Sequence, residues 1–295
     1  IFLDHVSKVE KLPKKPIKII SKMLERRLGG SAAVASFTAK KLGSKSEFIG
    51  RFGDDEVSKF LINEFKKKSI NTKNSIIIKN AQTSQSYVIE DQKGERLLAA
   101  YNDKNLLNYK KRPNLKINKN NVYSIDTRWM ELSEFISKKT HEKKIYCVAD
   151  IDNFKLSKQI KSIVRHASHP IFSEEGIKEF KEGGNIRKKL FDIYKETKKF
   201  VAVTLGSNGV LWIENANLFH CKPPKVKVVE TNCAGDVFHG AFATALEQNK
   251  NIMQSMIFAT STATLKCMKS GGIYSIPSLN SIKRFSKKII VKKLS

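Results

Sequence analysis

Apolar and polar positions alternate through two stretches of the chain, 1–28 and 75–101, as in Ser75-Ile76-Ile77-Ile78 and Ser86-Tyr87-Val88-Ile89-Glu90. A period of two marks strands with one covered face, so these stretches predict a small β-rich sheet. Asp91-Gln92-Lys93-Gly94-Glu95 lies between two apolar runs and predicts a hairpin turn. Between the stretches, 32–42 is Ala-rich with the spacing of a buried helix, preceded by Gly29-Gly30 and followed by Gly43. From about 105 onward strands and helices alternate. Strands are predicted over 122–126, 145–150, 170–172, 200–205 and 210–214, and helices over 131–139, 156–165, 174–182, 186–197, 234–248 and 252–267. Such alternation predicts an α/β fold with a central, mostly parallel sheet flanked by helices on both faces. Ligands of such folds sit outside the carboxyl ends of the strands. No internal repeat or long linker divides the chain.

Composition changes this picture little. Of 295 residues 40% are hydrophobic, enough for a sizeable core, and 7 Pro with 15 Gly exclude collagen-like or low-complexity chains. The charge is the unusual number: 55 Lys and Arg against 28 Asp and Glu, a net +27. That excess raises a nucleic-acid reading. The lysines, however, are scattered and sit at helix-surface spacing between apolar positions, as in Ile177-Lys178-Glu179-Phe180-Lys181. A solvated basic surface is expected, with no nucleic-acid platform, and it would still attract small anionic substrates. Cys147, Cys221, Cys233 and Cys267 are far apart and never paired as CxxC, which excludes a zinc knuckle and argues against a disulfide scaffold. Reduced thiols in a cytoplasmic protein are expected, and no apolar run approaches the ~18 residues of a membrane span. The chain opens on Ile1-Phe2-Leu3-Asp4, without a methionine or signal-peptide pattern, as if entering a first strand part-way.

Candidate chemistry concentrates in Glu230-Thr231-Asn232-Cys233-Ala234-Gly235-Asp236, a polar turn running into an Ala-rich helix. Small residues let a phosphate approach the backbone, and free N–H groups at a helix start bind anions. Asp236 would repel such an anion. It reads either as a general base beside a phosphoryl acceptor or as an acidic residue favoured by the helix dipole. Thr204-Leu205-Gly206-Ser207-Asn208-Gly209 follows an apolar strand and reads either as a phosphate cradle or as a hairpin turn. A Walker A motif and the protein-kinase catalytic-loop signature are both absent from the sequence.

Joined, these segments resemble the ribokinase-like, or PfkB, carbohydrate kinases over nearly the whole chain. Gly29-Gly30 with its Ala-rich helix resembles the first family signature, and Phe48-Ile49-Gly50-Arg51-Phe52-Gly53-Asp54-Asp55 the segment after it. Glu230–Asp236 resembles the second signature, Asp-Thr-x-Gly-Ala-Gly-Asp, with Glu230 for Asp and Cys233 for Gly. The resemblance implies a single kinase domain: an α/β core over 29–74 and 104–295, and a β lid over 4–28 and 75–103. It implies ATP-dependent, Mg²⁺-assisted phosphorylation of a sugar's primary hydroxyl and a possible homodimer through the lid. Asp236 is implied as base, with the amides of Cys233, Ala234 and Gly235 as the anion hole. Asp4, Gly29 and Gly30 are implied at the sugar, Thr204, Gly206 and Gly209 at the nucleotide, and Glu174 at Mg²⁺. Within the family the likeness runs toward kinases of 6-deoxy-6-sulfofructose, through Thr83-Ser84-Gln85-Ser86, Lys93-Gly94-Glu95-Arg96, Asp126-Thr127-Arg128-Trp129, Phe172-Ser173-Glu174, Asp236-Val237-Phe238-His239-Gly240-Ala241 and Leu265-Lys266-Cys267. Val34 stands where many family members carry a sugar-binding Asn, and Ala100 where the sulfofructose pattern carries one. That likeness implies Lys18 and Arg128 as readers of a sulfonate, which wants charged donors. Fructokinase, ribokinase and keto-deoxy-sugar kinase activities are the alternatives, and a silent nucleic-acid binder on the same scaffold is a remote one.

Overall fold

A computed structural model describes residues 1–92, 95–152 and 154–294. Its strands are β1 (Phe2–Lys8), β2 (Met23–Gly29), β3 (Arg51–Gly53), β4 (Ile76–Ile78), β5 (Gln85–Glu90), β6 (Arg96–Tyr101), β7 (Tyr123–Ile125), β8 (Cys147–Ile151), β9 (His169–Ser173), β10 (Val201–Thr204), β11 (Val210–Glu214), β12 (Asn217–Lys222) and β13 (Ile290–Lys293). The helices are α1 (Ser31–Lys41), α2 (Glu56–Lys67), α3 (Lys104–Leu107), α4 (Met130–Glu142), α5 (Lys158–His166), α6 (Glu174–Phe180), α7 (Ile186–Thr197), α8 (Ala234–Glu247), α9 (Ile252–Cys267) and α10 (Leu279–Ser286).

The described residues form a seven-stranded sheet ordered β13-β12-β11-β10-β9-β8-β7. Strands β7 to β10 are parallel, and β11 to β13 extend them antiparallel. Strand alternation divides the core between the two faces. Cys147, Ala149, Ile151, Val201 and Val203 point to one side with Ile136, Ile160, Ile163 and Ile193. Val148, Ile171, Ala202 and Trp212 point to the other with Phe238, Phe242, Leu246 and Met256. With both faces covered, β8 is buried along its whole length, as expected of a parallel strand.

A four-stranded sheet, β2-β1-β5-β6, stands apart. Segment 75–78, expected with it, pairs with β3 instead: Arg51 to Gly53 run parallel to Ile76 to Ile78. The alternating strands of the small sheet are therefore β1, β2, β5 and β6. Strands β5 and β6 pair antiparallel from Glu90 and Arg96 onward, as the predicted hairpin requires. The tip of that turn, Lys93 and Gly94, lies outside the described residues. A third core cluster, built on Val34, Phe37, Phe52, Leu61 and Phe65, joins α1 and α2 to Leu3 and Leu28 of the small sheet and to Val237 of α8.

Candidate active site

Most helices here close their first turn with a side chain: Asp55 on α2, Ser157 on α5, Ser173 on α6, Asn185 on α7 and Asn251 on α9. Helix α8 does not. Its N-cap is Cys233 at φ 60°, ψ 12°, with no side-chain cap. The left-handed turn and the missing cap leave first-turn N–H groups for an external anion. The Ala234 N–H is an exception to the expected trio, since it donates to the Thr231 carbonyl at 3.2 Å.

Asp236 follows in that first turn and accepts a hydrogen bond from the Ser31 side chain at the start of α1. Burial, and then the nearby Asp150 carboxylate, push its carboxyl well above the ordinary range. Asp150, on β8, is itself raised by burial and by Asp126 and Asp152. Asp126 follows β7 and accepts from the backbone N–H of Ala32 at 3.1 Å and of Arg128 at 2.9 Å. Asp152 accepts from Ser173 Oγ at 2.6 Å. The carboxyl ends of β7, β8 and β9 thus converge on the start of α1 and α8, where a doubly covered sheet places its ligands.

The small sheet contributes from the opposite side. Asp4 on β1 accepts from Ser86 Oγ on β5 at 2.6 Å, and burial raises its carboxyl. Gly29 makes room for it, because a Cβ there would stand 2.3 Å from Asp4 Oδ2. Gly30, at φ 96°, then turns the chain into α1. Arg96 on β6 reaches Asn232 Oδ1 at 3.2 Å.

The other predicted residues divide. Arg128 is exposed, and its charge acts on Asp150. Lys18 is exposed on the β1–β2 connection and is not among the charges acting on Asp4, Asp150 or Asp236. Thr204 ends β10, and Gly206 and Gly209 lie in the hairpin turn that joins it to β11. Gly209, at φ 84°, has a structural reason as well, since a Cβ would meet the Cys221 carbonyl at 2.0 Å. Glu174 opens α6 and pairs with Lys178 at 3.0 Å. Among the described residues no three His, Cys, Asp or Glu side chains are arranged to hold a metal by themselves. A phosphate-bound Mg²⁺ keeps most of its waters and needs one or two carboxylates. Asp152 and Glu174, on adjoining strand ends, fit that more modest demand. His239 is buried within α8, with Nδ1 on the Gly235 carbonyl at 2.8 Å. Cys147 is buried in the core, whereas Cys267 is half-buried.

Comparison with known proteins places the chain in a family. The model of the pfkB family carbohydrate kinases matches residues 1–279. The chain belongs to that family. It is therefore a carbohydrate kinase, a phosphotransferase on a ribokinase-like α/β fold. A ribokinase from Dictyostelium discoideum is 28% identical over 93% of this chain and 94% of its own. A bifunctional ribokinase/ribose-5-phosphate isomerase A from Fructilactobacillus sanfranciscensis is 24% identical over 95% of this chain, which spans only 54% of that longer protein. A ribokinase from Arabidopsis thaliana, solved with ribose and ATP, shares the fold with a TM-score of 0.80 at 21% identity, covering 97% of this chain and 96% of that one.

Sequence reasoning missed Ser31, Asp150 and Asp152. Asp150 and Asp152 end the apolar run of β8, and a carboxylate at the carboxyl end of a buried parallel strand is the signal that could have found them.

Proposed function

We propose that this kinase transfers the γ-phosphoryl group of ATP to a primary hydroxyl of a ketose, with Asp236 as the general base. One observation carries the reading: a carboxylate whose proton affinity is raised by burial stands in the first turn of a helix whose N-terminus no side chain caps. A raised carboxyl takes a proton from a hydroxyl more readily than an ordinary one. The N–H groups of Cys233 and Gly235, with Ala234 as a third donor through its long internal bond, would receive charge building on the phosphoryl oxygens. Asp4 and Ser86 would hold sugar hydroxyls, and Thr204, Gly206 and Gly209 would border the nucleotide. Mg²⁺, held through Asp152 and Glu174, would neutralise phosphate charge when bound. The small sheet acts as a lid excluding water from the transfer. Its outer strand β6, exposed along its whole length with Leu97 and Leu98, suits a homodimer contact.

The finer reading is an anionic acceptor, 6-deoxy-6-sulfofructose. Arg128, exposed at the end of β7 within electrostatic reach of the carboxylates, supports it as the sulfonate partner. Lys18 would have to join it by closure of the β1–β2 connection. An ADP-release assay over ribose, fructose and 6-deoxy-6-sulfofructose tests both levels. The expected result is highest turnover on the sulfosugar, lost in Arg128→Ala. Preference for ribose or fructose with Arg128→Ala harmless removes the sulfosugar and leaves the kinase reading standing. Asp236→Asn should lower turnover on the best acceptor by on the order of 100-fold or more with ATP affinity little changed. Wild-type turnover in that variant would remove Asp236 from its role.

A further inference from the structure

Lys266 is the one fully buried lysine among the described residues, with 0% of its surface exposed, in the last turn of α9. Burying an ammonium is costly unless oxygen ligands replace its water. All its recorded ligands come from a single turn. The ammonium donates to the Glu230 carboxylate at 3.1 Å, to the Glu230 carbonyl at 3.2 Å and, more closely, to the Asn232 carbonyl.

Peptide geometry gives those bonds a consequence. In a trans peptide the C=O and the N–H point in opposite directions. The Asn232 carbonyl and the Cys233 N–H belong to one peptide, so fixing the carbonyl on Lys266 aims the N–H the other way, out of the turn. The ammonium also polarises that peptide and strengthens its N–H as a donor. Cys233 needs such a restraint, because its φ of 60° is unfavourable for a residue with a Cβ.

Glu230 keeps the clamp electrically closed. Burial would raise its carboxyl, but the Gly271 N–H, Lys266 and Arg27 outweigh it and hold it down at about 2. The carboxylate also accepts from Gly272 N–H at 2.9 Å and from Arg27 of β2 at 3.1 Å.

We propose that Lys266 is a positioning residue for phosphoryl transfer, a built-in cation whose ammonium fixes the 230–233 turn so that the Cys233 amide faces the transferring group. The proposal rests on the kinase reading above, which gives that amide its role. Truncating the side chain leaves the Glu230 and Asn232 oxygens facing an emptied space, so the defect should be repairable by the free ion.

The test is Lys266→Ala, which removes the charge together with the stem that would crowd a free ion, assayed with ATP and whichever of ribose, fructose or 6-deoxy-6-sulfofructose the wild type turns over fastest. Expected is a kcat loss on the order of 100-fold, the scale of one oxyanion donor, with KM for the sugar nearly unchanged. Ammonium chloride should restore much of kcat, while tetramethylammonium chloride at equal ionic strength should not. Wild-type turnover should be indifferent to that exchange of salts. Undiminished kcat in Lys266→Ala overturns the proposal, as does a folded variant whose loss ignores ammonium. A wild type that itself requires ammonium also overturns it, because the built-in cation would then be insufficient. Should Lys266→Ala fail to fold by circular dichroism, Glu230→Gln/Lys266→Ala removes both charges of the pair and takes the same salt test. A wild type inactive on every acceptor overturns the kinase reading and this proposal with it, whereas an active wild type beside an unaffected variant sinks the proposal alone.

Discussion

Cys233 and Asp236 show opposite compromises within one helical turn. Cys233 sits at φ 60°, where a side chain costs about 1–2 kcal/mol relative to glycine. Glycine returns roughly 0.5–1 kcal/mol of that through its freer unfolded chain. Cys233→Gly should therefore match or exceed the wild type in stability, by up to about 1.5 kcal/mol, and keep its turnover. Thermal melts beside the ADP-release assay check this, and a large stability loss would mean that thiol packing outweighs the backbone strain. Asp236 is strained electrostatically. Its folded-state pKa lies above the unfolded value of 3.8, so its ionised form opposes folding at every pH above that value. Asp236→Asn, expected to be nearly inactive, should for this reason melt higher than the wild type at neutral pH. A lower melting temperature would contradict the burial cost argued for the carboxylate. The second signature was legible here because its residue types carry the chemistry. The left-handed turn was not, since nothing in the letters Asn-Cys-Ala marks a positive φ.

At the scale of elements, the site depends on α1 and α8 lying close, because Ser31 of one reaches Asp236 of the other. Gly240 permits that approach: a Cβ there would stand 2.6 Å from the Ala35 carbonyl and 2.8 Å from its Cα. Both are backbone atoms and cannot swing aside. Gly240→Ala should cost about 1–3 kcal/mol, as overpacking does, read as a lower urea midpoint at unchanged slope. An unchanged midpoint would show that the helices separate freely. Ala-rich 32–42 and the helices over 186–197 and 252–267 were readable because each carries a continuous apolar face or small-residue run. The reading missed α2, although its buried Leu61 and Phe65 lie four apart, as helical neighbours do. It also missed β12 and β13. Strand β13 is mostly exposed at the sheet edge, and its pairing of Lys293 with Phe219 joins segments far apart in the chain. Local periodicity carries no sign of such a partner.

For the molecule as a whole, the lysine excess is mostly a solvated surface, and among the described residues no helix is long and apolar enough to cross a membrane. The charges with structural weight are the few buried ones. Glu230 joins Arg27 of the small sheet, Lys266 of α9 and the 270–272 loop, so it ties the sheet to the turn before α8. Its pKa falls from 4.5 unfolded to about 2 folded. The stabilisation is therefore complete above pH 4.5 and is lost as pH falls toward 2, about 3 kcal/mol in all. Denaturation free energies measured across this window should fall steeply in the wild type and more gently in Glu230→Gln. The variant should also be less stable at pH 7, because Lys266 and Arg27 lose their buried counter-charge. Equal pH slopes in the two proteins would remove Glu230 from the acid transition.

What the sequence by itself determined is what a local pattern can encode: the α/β alternation, the small sheet, and the identity of the residues from Gly29 to Gly30 and from Glu230 to Asp236. Hydrophobic period and residue chemistry are properties of short segments, and they survive in any context. The tertiary structure alone decided that Asp150 and Ser31 meet Asp236, that segment 76–78 leaves the small sheet for β3, and that Lys266 turns inward to a loop more than thirty residues earlier. These are contacts between distant segments, and burial changes the proton affinity and charge balance of the groups they bring together.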